Sequence, residues 1–360
     1  MSSIKKILIL SLGTITILEF ISFGFFKLNL LEISHTPKIY LDKGFVPNDE
    51  WWTEEKPWGA WHMSSSATNQ KRSCYNVIYK SNEIGARDDN FINKDNDVLL
   101  LGDSFAEGYG VDLDNSSQKY IEKFTNLNVL NFGVSRNFGP LQYFLIYENL
   151  AKNFLHQTIL IYLLPDNDFS DNDYNNWQGS KRYRPYYKSI NSNHYSSFIP
   201  EQSVKNYLSS TKKLKKILKD YFWTSNLFIN VNYNYRIYRS NKKKSSFNFS
   251  GYFDSDINQQ KAVIYFLDKI IENTSSNVVL VSIPRPNDFD RLKKGSDLSD
   301  VYWNKYYVNK DTANSNFKFI DLINYEPDNV DEIYLKCDGH WSPKGNLWAA
   351  RIISKFIRKN

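Results

Sequence analysis

The chain has little of what metal centres and disulfide scaffolds are made from. Its 360 residues hold two cysteines, Cys74 and Cys337, and five histidines. Two cysteines so far apart exclude the clustered C-x-x-C spacing of a zinc site. His35, His62, His156 and His194 have no ligand spacing to one another. They read as surface or hydrogen-bonded residues, and no metal or other cofactor is expected. Charge of one sign is also lacking: 45 Lys and Arg face 39 Asp and Glu, a scattered net charge of +6. The one basic cluster, Lys242-Lys243-Lys244 after Arg236 and Arg239, sits among polar residues and reads as a solvated loop, so no nucleic-acid partner is expected. There is no internal repeat. There is one long apolar run only, Ile7 to Phe26, between Lys5-Lys6 and Lys27.

That run is long enough to cross a bilayer as a helix. The paired lysines before it predict a cytoplasmic N-terminus and a bulk outside the cytoplasm. A cleaved signal peptide would need a shorter apolar core and a small-x-small cleavage site, and no convincing one is present. Glu19 inside the run is costly in lipid, which keeps a buried soluble helix open as the alternative. The expected organisation is a single-pass membrane anchor over 1–30, an irregular extension with short strands over 31–95, and one large domain over 96–360. In an exported domain the two cysteines permit one disulfide, Cys74–Cys337; two unpaired buried thiols are the other reading.

What the chain has in excess is aromatic: 25 Tyr, 24 Phe and 9 Trp, ample for a core and suited to a cleft of amphipathic side chains. Residues 31–75, with Trp51, Trp52, Trp58 and Trp61, show little periodicity and read as a segment wrapped over a domain surface. Cys74 to Tyr79 alternates as a strand. Val98 to Leu101 is a continuous apolar run, expected of a strand buried on both faces of a parallel sheet. A helix over 117–126, a strand from Leu127, a helix from Leu141 and a strand from Gln157 to Leu164 follow. The pattern returns with a helix over 257–273, strands Asn277 to Ile283 and Phe317 to Ile323, and a helix over 343–358. Such alternation predicts βαβ units and a three-layer α/β/α domain with a mainly parallel central sheet. The polar stretch 170–256 reads as an insertion with one amphipathic helix near 203–221, either a lid or a purely structural element.

Four short blocks carry candidate chemistry. Gly102-Asp103-Ser104 follows the first apolar strand, which places a serine hydroxyl at the C-terminal edge of the sheet and near a helix N-terminus. Asn131 to Pro140 is a glycine-containing loop at the end of the next strand. Asn167, between Asp166 and Asp168, follows the third; the two aspartates can bind a substrate hydroxyl or be solvated or capping. Asp338-Gly339-His340 precedes Ser342-Pro343, good N-cap and N1 residues for the last helix. Trp341 can stack on a sugar ring or pack against that helix.

In this order and at these strand ends, the blocks resemble the SGNH (GDSL) hydrolase superfamily over roughly 96–170 and 277–358. With the N-terminal run, the chain is similar to membrane-anchored, extracytoplasmic members associated with surface polysaccharides. The resemblance implies a flavodoxin-like α/β/α fold, Ser104 as nucleophile, His340 as general base and Asp338 as its orienting carboxylate. It implies an oxyanion hole from the Ser104 and Arg136 backbone N–H groups and the Asn167 side chain. Two positions depart from the family pattern. Arg136 stands where glycine is usual, and an alternative alignment puts the donor at Gly133. Asp338 is two residues before the histidine, and Cys337 holds the usual place three before it. The expected partners are a small ester or acylated carbohydrate, and the membrane through the N-terminal helix; the oligomeric state is left open. The expected activity is ester hydrolysis or acyl transfer. A lipid esterase or thioesterase, and a non-catalytic polysaccharide-binding component favoured by Arg136, are the alternatives.

Overall fold

The computed structural model describes residues 3–357 except 29, 31–36, 49, 53, 95–96, 178–182, 192–193, 202–209 and 245–248. His35 and the first part of the helix expected at 203–221 lie outside the described residues. The strands, in chain order, are β1 (Glu54–Lys56), β2 (Gly59–Trp61), β3 (Ala67–Arg72), β4 (Tyr75–Lys80), β5 (Val98–Leu101), β6 (Val129–Asn131), β7 (Thr158–Leu163), β8 (Tyr186–Asn191), β9 (His194–Phe198), β10 (Asn277–Ser282) and β11 (Phe317–Asp321).

The centre is a five-stranded sheet in the order β11-β10-β7-β5-β6, with every pairing parallel. Successive side chains of a strand point to opposite faces. Because the runs are apolar throughout, both faces are covered. Leu99, Leu101, Ile159, Ile161 and Leu280 pack with the helices Pro140–Asn149 and Ile257–Glu272. Val98, Leu100, Leu160, Tyr162 and Val281 pack on the other side with Ser117–Thr125 and Pro343–Ile353. The result is a three-layer α/β/α sandwich. Truncating a fully buried leucine costs about 2–5 kcal/mol, and Leu99, Leu100 and Leu101 of β5 are each 0% exposed, so β5 is rigidly fixed. β5 is first of the five in sequence and lies between β6 and β7 in space. The chain therefore reverses its direction of travel across the sheet at β5, which makes its carboxyl end the switch-point crevice of the fold.

The segment before β5 is more ordered than its composition implies. β1–β2 and β3–β4 form two antiparallel hairpins. β3 is polar along its length, yet Thr68 and Gln70 are buried on one face, so its alternation is carried by residues that read as loop. Trp51, Trp52, Trp58 and Trp61 are buried in the same core cluster as Leu99 and Leu101. The 170–256 stretch holds the antiparallel pair β8–β9, the expected helix at Ser210–Tyr221 and a second, unexpected helix at Trp223–Lys244. Lys242–Lys244 close that helix rather than forming a loop.

The helix Ser3–Lys27 is long and apolar enough to cross a membrane, with a mean hydropathy of 2.0 over its most apolar stretch. It packs along Trp223–Lys244. Glu19 does not stand alone there. Its carboxylate accepts the backbone N–H groups of Trp223 at 2.8 Å and Thr224 at 2.9 Å. It thus satisfies donors that a helix start leaves unpaired, at the end where the peptide dipoles favour negative charge. The Trp223 ring packs on Phe23, Phe26 and Tyr40 at centroid distances of 5.8, 4.9 and 4.9 Å.

Candidate active site

At the end of β5 the chain turns at Gly102 (φ +156°), where an added Cβ would sit 2.7 Å from the Ala106 Cβ. Asp103 caps the short helix Ser104–Glu107 by accepting the Phe105 N–H at 2.9 Å. Ser104 is therefore the first residue of a turn held against the sheet edge. The fourth block reaches it from the other end of the chain. Leu335 donates its N–H to the His340 carbonyl at 2.8 Å and Asp338 to the Leu335 carbonyl at 3.1 Å. This tight turn folds the Asp338 carboxylate back onto the ring. Oδ1 of Asp338 bonds to His340 Nδ1, and it also accepts the His340 backbone N–H at 3.3 Å. A spacing of two residues thus suffices to align the carboxylate.

His340 Nε2 lies 2.6 Å from Ser104 Oγ. With Nδ1–H donated to the carboxylate, Nε2 is left as the acceptor for the serine hydroxyl. The competing contact, Ser104 Oγ to Asp103 Oδ2, is 3.5 Å and much the weaker. Burial alone would raise Asp338. The hydrogen bond from His340, the His340 charge and the Arg72 guanidinium, whose Nη1 is 3.9 Å from Oδ2, outweigh it and hold the carboxyl below its ordinary range. The imidazole is flanked by Tyr109 at 4.5 Å and Phe105 at 5.1 Å. Trp341 is 1% exposed and packs on Phe105 and Tyr162, so of its two readings the packing one holds.

Cys74 and Cys337 are joined in a disulfide, Cα to Cα 5.7 Å, and bridge the β3–β4 turn to the residue before Asp338. Arg285, just past β10, donates from Nη1 to the Gly339 carbonyl. Its Nε lies 3.3 Å from Asp166 Oδ2. The Asp338–His340 turn is thus held from both sides.

The second block is tied to the helix of the first. Asn131 donates from Nδ2 to the Ala106 carbonyl at 2.8 Å, and its Oδ1 accepts the Gly133 N–H at 2.7 Å. A Cβ on Gly133 would meet the Glu107 nitrogen at 2.4 Å, so this glycine serves close packing. Its N–H is committed to Asn131, and that of Ser135 to the Glu107 carboxylate. The alternative donor at Gly133 is thereby disfavoured. Arg136 and Asn137 follow with φ of +76° and +62°. Left-handed backbone costs a non-glycine residue about 1–2 kcal/mol. The Arg136 guanidinium lies 4.9 Å over the Trp52 ring.

Asn167 lines the same cavity as Ser104, of about 610 Å³. Its Nδ2 donates to Asp171 Oδ2 at 2.7 Å, which fixes which way the amide points and leaves its second N–H for another acceptor. Asp166 is drawn into the Arg285 pair. Asp168 is fully buried, accepting from Tyr143 and from the Leu164 N–H, so it is structural.

Beneath the site lies a set of buried acids that sequence reasoning missed. Burial pushes Glu107 up to about 7, against the pull of Arg87, the Ser135 hydrogen bond and Arg136. Burial likewise pushes Asp103 to about 6 and Asp88 to about 7. His62, stacked 4.0 Å from Trp51, is pushed down to about 3 by burial and is neutral. Its Nε2 faces Glu107 Oε1 at 3.6 Å. The Gly85–Asp88 run is part of this support. Arg87 donates to the Glu107 and Val111 carbonyls at 2.8 and 2.6 Å, and Asp88 accepts the Asn131 N–H at 2.9 Å. The one signal for Arg285 was its place after an apolar strand, at the same sheet edge as Ser104. Arg72 had none, because β3 did not read as a strand. Among the described residues no group of three or more His, Cys, Asp or Glu is arranged to hold a metal ion.

Fold and site together define a doubly wound α/β protein with a Ser-His-Asp array at its switch point. No protein-family model and no curated protein matches the chain. Among solved structures it is similar to a member of the lipolytic protein G-D-S-L family from Veillonella parvula (14% identity over 73% of this chain and 99% of that one, TM-score 0.35). It is also similar to a lipase/acylhydrolase from Enterococcus faecalis (13% identity, 73% and 95%, TM-score 0.36) and a lipase from a goat rumen metagenome (13%, 72% and 96%, TM-score 0.36).

Proposed function

We propose that the chain is a serine ester hydrolase or acyltransferase of the SGNH type. The observation that carries this reading is the 2.6 Å approach of His340 Nε2 to Ser104 Oγ, with Asp338 on the opposite ring nitrogen. Ser104 Oγ attacks the ester carbonyl carbon while its proton passes to Nε2. Asp338 stabilises the imidazolium that results and keeps the ring in the required tautomer. The oxyanion is received by the Ser104 and Arg136 backbone N–H groups and the Asn167 amide. The carbon–oxygen bond to the alcohol breaks, and His340 returns the proton to the departing alkoxide. The acyl group remains on Ser104 until water, or a sugar hydroxyl, attacks it with His340 again taking the proton.

The substrate we infer is a small acyl ester of carbohydrate, an O-acetylated sugar or cell-surface polysaccharide. The cavity supports this over a long-chain lipid: only Trp52, Tyr109 and Leu164 of its lining are apolar, and the rest is polar or charged. Work outside the cytoplasm is supported by the disulfide and by the apolar N-terminal helix. Acetate release from O-acetylated glycans, set against hydrolysis of synthetic esters of increasing acyl length, tests the substrate class. Falling turnover beyond short acyl chains is expected. A preference for long chains would favour the lipid esterase reading.

A further inference from the structure

Two further cavities lie along the helix Ile257–Glu272 and share no residue with the one that holds Ser104. The larger, of about 1090 Å³, is walled by Tyr174, Tyr187 and Phe198. The smaller, of about 290 Å³, is walled by Tyr265 and by Tyr302 and Tyr306 of the helix Tyr302–Ala313. Tyr195 of β9 lines both and joins them into one groove. The floor is a single stripe of the helix, because Asn258, Lys261, Tyr265 and Asp268 follow one another at intervals of three and four residues. At the rise of an α-helix that stripe is about 15 Å long. The helix ends where β10 begins and packs back against the sheet, so its first turn stands at the strand ends that carry Ser104. The short helix Asp168–Asp171 links Asn167, in the catalytic cavity, to Asp173, in the groove. Tyr187 donates its N–H to the Asn172 carbonyl at 3.0 Å, which ties β8 to the same segment.

The rings are fixed by their neighbours. Tyr187 and Tyr195 meet edge to face at 5.5 Å, and Tyr195 and Tyr265 lie 5.3 Å apart. The Tyr306 hydroxyl donates to Asp268. Tyr195 is half-buried and Tyr302 is exposed. A tyrosine offers an apolar face and a polar tip, and only two torsions are frozen when it binds. Polar groups stand between the rings: the Asp173 carboxylate, which accepts from Gln259 Nε2 at 2.9 Å, and Asp256, which caps the helix. Charge is mixed, with Asp173, Asp256 and Asp268 set against Lys188, Lys261, Lys269 and Lys310. The cationic track that a nucleic acid needs is not formed. A peptide would call for apolar pockets at alternate side chains; apart from tyrosines, Phe198 and Ile264 are the only apolar residues of the described lining. Flat rings for the C–H faces of a sugar, with carboxylates and amides for its hydroxyls, complement a pyranose chain.

We infer that this groove is a second carbohydrate site, which binds the backbone of a polysaccharide while one of its ester groups is at Ser104. Tyr195 is the shared platform, and the β8–β9 pair of the 170–256 insertion is the outer wall. The inference rests on the carbohydrate reading of the substrate and adds the site that holds the polymer.

The test uses the full chain in dodecyl maltoside. Ser104→Ala protein, which binds without turnover, is applied to an array of neutral, N-acetylated and uronic oligosaccharides. Retention on at least one backbone is expected, with the apparent Kd raised about tenfold or more by Tyr195→Ala and by Tyr302→Ala and largely restored in Tyr195→Phe. With Ser104 present, the same tyrosine variants should hydrolyse 4-nitrophenyl acetate at the unmodified rate, which also shows that they fold. On an acetylated polymer of the retained backbone, their KM should rise by a similar factor at constant kcat. No retention on the array, or retention that both alanine variants leave unchanged, overturns the groove and leaves the hydrolase reading standing. Tyrosine-dependent retention by a chain that turns over no ester overturns the hydrolase reading and leaves the groove.

Discussion

The buried carboxylate of Glu107 accepts the backbone N–H of Ser135. A residue three places after Ser104 thereby holds the loop that carries Arg136. On the proposed mechanism the oxyanion geometry is thereby set from inside the helix that begins with Ser104. Glu107→Ala should lower kcat about 10–100-fold with little change in KM, since a displaced donor costs transition-state stabilisation. Glu107→Gln, which keeps an acceptor, should recover most of it. Steady-state kinetics on a short-chain ester check this; equal loss in both variants would point to general destabilisation.

Asn167 is oriented through Asp171. Asn167→Ala is expected to reduce kcat by about 10²–10³, the usual loss for one oxyanion donor. Asp171→Asn should give a smaller drop, because the amide loses its fixed direction but not its donor. If Asn167→Ala turns over normally, Asn167 is a structural residue only.

The Cys74–Cys337 bridge closes a sequence separation of 263 residues and ends one residue before Asp338. Its loss should reduce stability by about 2–5 kcal/mol. Turnover should fall as well, because the turn that presents Asp338 then loses its covalent tie and keeps only its own hydrogen bonds and the contacts of Arg285 and Arg72. Thermal melts and ester kinetics of Cys74→Ser/Cys337→Ser check both. An intact rate in the double variant would show that the turn holds itself.

Stability should decline as pH rises from about 4 to about 7. Burial raises Asp88 and Glu107 to about 7, whereas in the unfolded chain they ionise near 4. Between these values the folded chain binds more protons than the unfolded one, so the slope of unfolding free energy against pH is negative. His62, pushed down to about 3 by burial where the unfolded chain protonates it near 6.5, works in the opposite sense but is one group against two raised acids; Asp338, held below its ordinary range, does so only as pH falls below about 4. Melting temperatures taken from pH 4.5 to 8 should therefore fall; a rise across that range would contradict the buried-acid account.

Much of the central sheet was legible because its signal is composition. Val98–Leu101, Thr158–Leu163 and Asn277–Ser282 are apolar runs that fit only a sheet covered on both faces. Ser104, Asn167, Asp338 and His340 were legible because each stands next to such a run or next to a helix cap. The hairpin β3–β4 was half hidden, since Thr68 and Gln70 occupy its buried face. With it went Arg72, whose neighbour is remote in sequence. The helix Trp223–Lys244 was hidden too. Its composition is that of a loop, and it starts where Glu19, some two hundred residues earlier, accepts its first N–H groups. Glu107 and His62 are long-range partners across buried space, a relation that no local pattern encodes.

The central claim is that Ser104 is activated by His340. The most direct measurement is labelling of the full chain with a fluorophosphonate probe, followed by peptide mapping, in the unmodified chain and in Ser104→Ala and His340→Ala. Attachment at Ser104, absent from Ser104→Ala and strongly reduced in His340→Ala, is the predicted result. A folded chain that stays unlabelled, or labels equally well without His340, would contradict it.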